Sequence, residues 1–127
     1  MTTTTLDNNV LEVGDVGTAT LTNNNFFQSD NSAAAAIPNT FRGTLVNNGS
    51  LQVDHDLHLA EIAVPVQHDN FGLVFINTGA TLQLGSNNDF TNHEGGVIVG
   101  SGTLDVSAGN VDFINNGIIL PGGQSTT

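Results

Sequence analysis

The sequence predicts an all-β fold, a β-solenoid of about five or six coils with one irregular loop near residues 23–40. Apolar and polar residues alternate over stretches of roughly three to six residues, which are too short and too rich in β-branched side chains for helices. The same residue types also return in one fixed order, namely Phe, Asn, Gly and then Thr-Leu. A sandwich built from hairpins would not produce that order, whereas stacked coils place like residues above like.

A short phrase, Phe-x-Asn followed closely by Gly, marks successive coils. It occurs at residues 75–79, 90–95 and 113–117, with a degraded copy at 45–49. We expect the Phe rings to stack in the interior and the Asn amides to form a hydrogen-bonded ladder at a corner. The predicted core positions are Phe75, Phe90 and Phe113, and the predicted ladder positions are Asn47, Asn77, Asn92 and Asn115.

After each turn, the chain enters a short alternating stretch that predicts a strand. These stretches lie at residues 50–53, 81–84, 103–106 and 118–120. The Asn and Gly residues between them tolerate the left-handed backbone that corners require. The spacing between the corner Asn residues varies, so we expect coils with loops of different size.

The two ends and one internal segment lack this pattern. Residues 1–6 and 124–127 are rich in Thr and Ser with nothing to bury, which predicts flexible tails around a single solenoid domain at 7–123. Within the irregular segment 23–40, residues 32–38 could form one helical turn that Pro38 ends. We expect this segment to cap an open end of the solenoid, because bare terminal coils expose unpaired strand edges. The alternative is a recognition loop.

The charge balance excludes several classes of partner. The 127 residues carry a formal net charge of −11, and Arg42 is the single permanent cation. Nucleic acid and anionic membranes require basic side chains, so we expect neither as a partner. The absence of Cys excludes disulfides and thiolate metal sites.

Asp54, Asp56 and His58 are the candidates for a divalent metal site, for Zn or Mn. Alternation along a strand would place these three on one face and turn His55 to the other. Residues two apart on a strand lie nearly 7 Å from each other, so a solvated outer face is the simpler interpretation. We expect no cofactor, with weak surface calcium binding by scattered Asp as the alternative, because the sequence lacks both an EF-hand loop and the calcium-binding nonapeptide phrase.

The sequence does not favour catalysis. Sugar lyases built on β-helices use Lys or Arg beside a carboxylate, and this chain has no Lys. Asp54 and Asp56 are the sole close pair of carboxylates for a glycosidase, on a strand without aromatic subsite residues. We therefore expect a protein that is not an enzyme.

Residues 90–122 resemble the passenger domains of bacterial autotransporters and the related filamentous-haemagglutinin-like adhesins. They contain a Gly-x-Gly-Thr-Leu phrase at 100–104 and a Gly-x-Ile-x-Pro-Gly phrase at 117–122. The resemblance extends over residues 43–123 and is weak over 1–42. It implies a right-handed parallel β-helix, export to the outside or the surface of a bacterial cell, and a structural or adhesive role in a stalk.

Two classes of function remain open. As a structural module, the chain is one stretch of an adhesin stalk, or it stacks end to end with its own copies or adjoining repeats into a fibre. As a binding module, its loops hold a glycan or protein of a host or neighbouring cell. A less favoured binding module is an ice-binding solenoid, in which flat rows of Thr match a lattice. The Thr residues that recur before Leu are Thr44, Thr81 and Thr103.

Overall fold

A computed structural model describes residues 3–7, 10–14, 19–30, 37–60 and 64–122. Over these ranges the chain forms short strands joined by tight corners, and it contains no helix. Accordingly, no helix in the described part of the chain has the length and apolar character needed to cross a membrane.

The strands are short, as the alternating sequence predicts. In chain order they are β1 Thr3–Asp7, β2 Val10–Glu12, β3 Thr20–Asn23, β4 Phe26–Asp30, β5 Asn39–Arg42, β6 Thr44–Asn47, β7 Ser50–Val53, β8 Leu57–Leu59, β9 Val66–Asn70, β10 Leu73–Ile76, β11 Thr81–Leu84, β12 Asn88–Asn92, β13 Val97–Gly100, β14 Thr103–Asp105, β15 Phe113–Asn115 and β16 Ile118–Pro121.

Successive strands enter three parallel sheets in turn, so every third strand is a neighbour. Sheet A has the order β1-β4-β7-β10-β13-β16, sheet B the order β2-β5-β8-β11-β14, and sheet C the order β3-β6-β9-β12-β15. Among the described residues, each coil contributes one strand to each sheet, which makes five coils and the first strand of a sixth. The predicted parallel β-solenoid is therefore confirmed.

The core lies between the three sheets and consists of in-register rows. In sheet A, the row Phe27, Leu51, Val74 and Ile98 is between 0% and 3% exposed. Burial of each such side chain contributes about 1.5–3 kcal/mol. The Phe90 and Phe113 rings stack with their centroids 5.8 Å apart, one coil above the other.

The corner that follows each sheet-C strand, here called the C–A corner, is shaped by a column of glycines. Gly49, Gly72, Gly96 and Gly117 lie one above another before the next sheet-A strand. A Cβ atom added to Gly72 would collide with the carbonyl oxygen of Gly49. Glycine is needed here because the backbone of one coil passes directly over the next.

The irregular loop predicted over 23–40 is only partly present. Residues Phe26–Asp30 form β4, the second strand of sheet A, between β1 and β7, and Phe27 is fully buried. The sequence does not predict this strand, because the inward position 29 holds Ser and a buried polar residue breaks the apolar alternation. The Ser29 hydroxyl donates to the carbonyl of His55 at 2.8 Å and accepts from the amide of Asn39 at 2.9 Å. Residues 31–36, and with them most of the predicted helical turn, lie outside the described residues.

The chain ends also differ from the prediction in part. Within the tail predicted over residues 1–6, residues 3–6 instead belong to β1, which pairs in parallel with β4 from Thr3 to Asp7. Residues 1–2 lie outside the described residues. The tail predicted over 124–127 lies outside the described residues.

The prediction that Phe75 lies in the core is wrong. Phe75 is in register with Gln52 and Val99 on the outer face of sheet A, while Val74 and Ile76 on either side of it point inward and are buried. Its phrase ends a sheet-A strand, whereas the Phe90 and Phe113 phrases end sheet-C strands. Strand alternation therefore turns Phe75 outward although the local sequences are alike.

Candidate functional site

An asparagine ladder runs the length of the C–A corner. The side-chain Nδ2 of each member donates to the Oδ1 of the next at 2.7 Å, from Asn23 to Asn47, Asn70, Asn92 and Asn115. The first four side chains are no more than 1% exposed. Successive members are 24, 23, 22 and 23 residues apart, which is the length of a coil at this corner.

The ladder also binds the backbone of the corner. Asn23 donates to the carbonyl of Ser50 at 2.9 Å, and Asn47 donates to that of Leu73 at 3.0 Å. These bonds engage the carbonyl of the first residue of a sheet-A strand, and buried polar groups such as the Asn amides require such partners. The ladder thus holds one corner of every coil in the same position.

The sequence identified this ladder incompletely. Asn47, Asn92 and Asn115 lie in it, but the prediction for Asn77 is wrong: Asn77 is exposed at the corner after β10 and donates to Asp54 at 3.3 Å. Asn23 and Asn70 are the members that the Phe-x-Asn phrase missed. A motif defined as Asn-x-Gly, without the preceding Phe, would have found Asn70.

The ladder has unlike ends. At its lower end, Oδ1 of Asn23 accepts the backbone N–H of Asn25 at 3.2 Å. At its upper end, the exposed amide of Asn115 donates to the carbonyl of Gly117 in its own coil, at 3.4 Å. The other four amides donate in the same direction along the solenoid axis, each to the ladder residue of the next coil, so Asn115 is the last member of the ladder among the described residues.

The last coil has an open face, here called the open coil end. Within the described ranges, β14, β15 and β16 each pair with a strand on one side only. Ile119 continues the buried row above Ile98, yet it is 37% exposed where Ile98 is 3% exposed. A cleft of about 410 Å³ opens there, lined by apolar residues that include Leu104 and Pro121.

The three candidate metal ligands do not share a strand face. Asp54 and Asp56 lie in the corner between β7 and β8, while His58 lies on the outer face of β8. The one-face prediction is wrong because the chain turns at these residues. Across the residues that the structure describes, no group of three His, Cys, Asp or Glu could hold a metal ion.

The two carboxylates instead tie neighbouring coils together. Asp54 accepts the amides of Gln28 and Gln52, each at 2.7 Å, and Asp56 accepts the backbone N–H of Thr81 at 2.8 Å. His55 also lies in this corner; it is half-buried, and its Nε2 lies 2.7 Å from the carbonyl of Ile37. Partial burial lowers the pKa of His58.

His68 lies in the core, on the inward face of β9. It occupies the inward row of sheet C between Leu45 and Phe90 and is 1% exposed. Its Nδ1 accepts the backbone N–H of Leu45 at 3.1 Å, so the proton of the neutral ring lies on Nε2, which donates to Asn88 Oδ1 at 2.8 Å. Burial lowers the pKa of this imidazole, and the bond to Asn88 opposes that shift.

A second histidine forms a surface cluster at the C–A corner. His93 Nε2 lies 2.8 Å from Asp69 Oδ1, and the His93 ring stacks on Phe71 with centroids 4.1 Å apart. These three side chains belong to adjacent coils. The cluster therefore joins two coils on the outside of the corner that the ladder joins on the inside.

The recurring Thr residues do not form a single array. Thr81 and Thr103 are in register on sheet B, whereas Thr44 lies on sheet C in register with Thr20. The flat Thr plane that an ice-binding surface would need is therefore divided between two faces.

The described geometry defines the chain as a parallel β-solenoid with a ladder-bound corner and an open end. A scan against protein-family models finds no match, and comparisons with curated proteins and with solved structures also find none.

Proposed function

We propose that this chain is a non-catalytic structural module, one stretch of a bacterial surface adhesin stalk or a subunit of an extracellular fibre. The resemblance of residues 90–122 to autotransporter passenger domains supports the extracellular setting. The observation that carries the proposal is the open coil end, because it offers strand edges and apolar side chains of the kind that a further coil covers.

End-to-end stacking would satisfy three features of that end together. Another coil would pair with the free edges of β14, β15 and β16 and would cover Ile119 and the cleft beside it. It would also give the Asn115 amide an acceptor. A contact of this kind is heterologous and continues along the solenoid axis.

The arrangement of the carboxylates supports a structural role over a catalytic one. Asp54 accepts the amide of Gln28, and Asp56 accepts the backbone N–H of Thr81, each from a neighbouring coil. Such contacts stabilise the stack of coils and require no cofactor. In this role the partners are other coils, either of further copies or of adjoining repeats.

The test uses two Ile→Lys substitutions on the last coil. Ile119 points inward and Ile114 points outward, and both side chains are exposed, at 37% and 50%. Ile119→Lys would place an ammonium group beneath any coil stacked above it, and an inward charge on an edge strand blocks pairing. Ile114→Lys adds the same charge on the outside.

We expect the parent chain and Ile114→Lys to form particles that grow with concentration in light scattering and appear as filaments one solenoid wide in electron micrographs. Ile119→Lys should form no filaments. A parent chain that stays monomeric up to about 1 mM would refute end-to-end stacking, since that concentration already detects a contact of about 4 kcal/mol. Equal assembly of the two variants would also refute it.

A further inference from the structure

One outer face of the solenoid is apolar over its last three strands. The outward positions of β10, β13 and β16 form two in-register rows. We call these residues the apolar stripe: Leu73, Val97 and Ile118 in one row, and Phe75, Val99 and Leu120 in the other.

The stripe is exposed, and the core does not account for it. Leu73, Ile118 and Leu120 are 38%, 52% and 50% exposed, and the other three side chains are half-buried by their neighbours. The same two rows hold the polar residues Ser50 and Gln52 one coil earlier. A contiguous apolar patch of this kind on an otherwise polar surface marks an interaction site.

The neighbouring faces of the same coils are different in character. On sheet B the outward positions of β11 include Thr81 and Gln83, and β14 presents Asp105. On sheet C, Asp89 and Thr91 face outward from β12. The apolar rows are therefore specific to sheet A.

We propose that the apolar stripe is a lateral contact at which a second copy of this chain packs, sheet A against sheet A. The chain carries a net charge of −11, so two copies that approach through most faces bring like charges together. The stripe has no charged residue among its six positions, which makes it the face where self-contact meets little repulsion. The same charge disfavours an anionic membrane as the occupant.

The geometry of the stripe suits such packing. Sheets pack face to face about 10 Å apart with their side chains interdigitated, and the two rows lie roughly 7 Å apart, which leaves a groove for a row of the partner. A twofold axis would make the contact isologous. Six side chains on each copy form a smaller contact than a standard stable interface, so a single pairing should be weak and should strengthen when several coils are aligned.

The test separates this lateral contact from end-to-end stacking, on which it does not depend. All variants are made in the Ile119→Lys background, which blocks the coil end. Val97→Glu introduces a charge in the centre of the stripe, and Gln83→Glu introduces the same charge at an exposed outward position of sheet B. Sedimentation equilibrium then measures self-association over a range of concentrations.

We expect the Ile119→Lys chain to dimerise. Adding Val97→Glu should lower its association constant at least tenfold, whereas adding Gln83→Glu should change that constant by no more than about twofold. Monomers at every concentration up to about 1 mM, or equal effects of the two Glu variants, would overturn the proposal. Far-UV circular dichroism confirms that each variant is folded.

A second measurement does not depend on the Glu variants and uses the absence of Cys from the chain. Val97→Cys and Gln83→Cys each provide one thiol for a bismaleimide that spans about 10 Å, the separation of packed sheets. Dimer formation at least tenfold greater for Val97→Cys supports the stripe, and equal yields overturn it. Filament loss in Ile119→Lys with cross-linking retained would show that the two contacts are separate.

Discussion

Replacement of Asn47 by Ala tests whether the buried ladder stabilises the solenoid. In the folded chain Asn47 accepts from Asn23 and donates to Asn70 Oδ1, both at 2.7 Å, and to the carbonyl of Leu73 at 3.0 Å. The substitution leaves these three polar groups without their partner in a site that is 1% exposed. Asn23 Nδ2 keeps its bond to the carbonyl of Ser50 at 2.9 Å, which leaves two groups unsatisfied. Each unsatisfied buried group costs about 1–3 kcal/mol, so the free energy of unfolding should fall by roughly 2–6 kcal/mol.

The adjacent residue provides a matched control. Asn48 also donates its Nδ2 to an Asn Oδ1 of the neighbouring coil, that of Asn24, at 2.8 Å, but this bond is exposed to solvent. Water replaces the lost partner there, and Asn48→Ala should change the free energy of unfolding by no more than about 0.5 kcal/mol. Both variants therefore remove an Asn–Asn hydrogen bond between coils, and they differ mainly in whether that bond is buried.

Urea denaturation followed by circular dichroism measures both values. A difference of at least about 2 kcal/mol between Asn47→Ala and Asn48→Ala is expected. Equal losses, or a loss below about 1 kcal/mol for Asn47→Ala, would refute the claim that burial makes the ladder important.

Two further predictions concern the same corner and the core. Gly72→Ala should lower the free energy of unfolding by roughly 2–3 kcal/mol, because its Cβ would collide with backbone. In the control Gly109→Ala, the added Cβ meets nothing within 4 Å, so the change should be near neutral. Similar urea midpoints for the two variants would contradict the stacked glycine column. Burial lowers the pKa of His68, so the unfolded chain, whose histidine titrates near 6.5, binds the proton more readily and stability should decrease as the pH falls below that value. Urea midpoints at about pH 7.5 and 5.5 should show a smaller loss on acidification in His68→Leu than in the parent, and equal losses would count against this role.

The coiled architecture could be predicted because it depends on a pattern that every coil repeats. Short alternating strands and Asn-Gly corners are local features, and their return in a fixed order indicates stacking. The sheet to which a given phrase belongs is not local. Phe75 and Phe90 begin nearly identical phrases, but coils of unequal corner length bring one to sheet A and the other to sheet C.

Buried polar residues also limited what could be predicted about the strands and the core from the sequence. Ser29 and His68 both interrupt apolar rows, and each is satisfied by partners from another coil that the sequence cannot reveal. Asp54 and Asp56 were placed on one strand because their alternation continues through a corner. In each of these cases the tertiary hydrogen bonds override the periodic signal.

The ladder and the glycine column give the solenoid one corner of nearly constant geometry, with steps of 22 to 24 residues. An insertion at this corner would have to displace backbone that is in close contact with the backbone of the neighbouring coil. Among the described residues, the glycines at the other two corners form no such column, and segments grafted there should be tolerated by the scaffold far better. The fold therefore has one corner of nearly constant length and two corners at which new loops, and with them new specificities, can be introduced by evolution or by design.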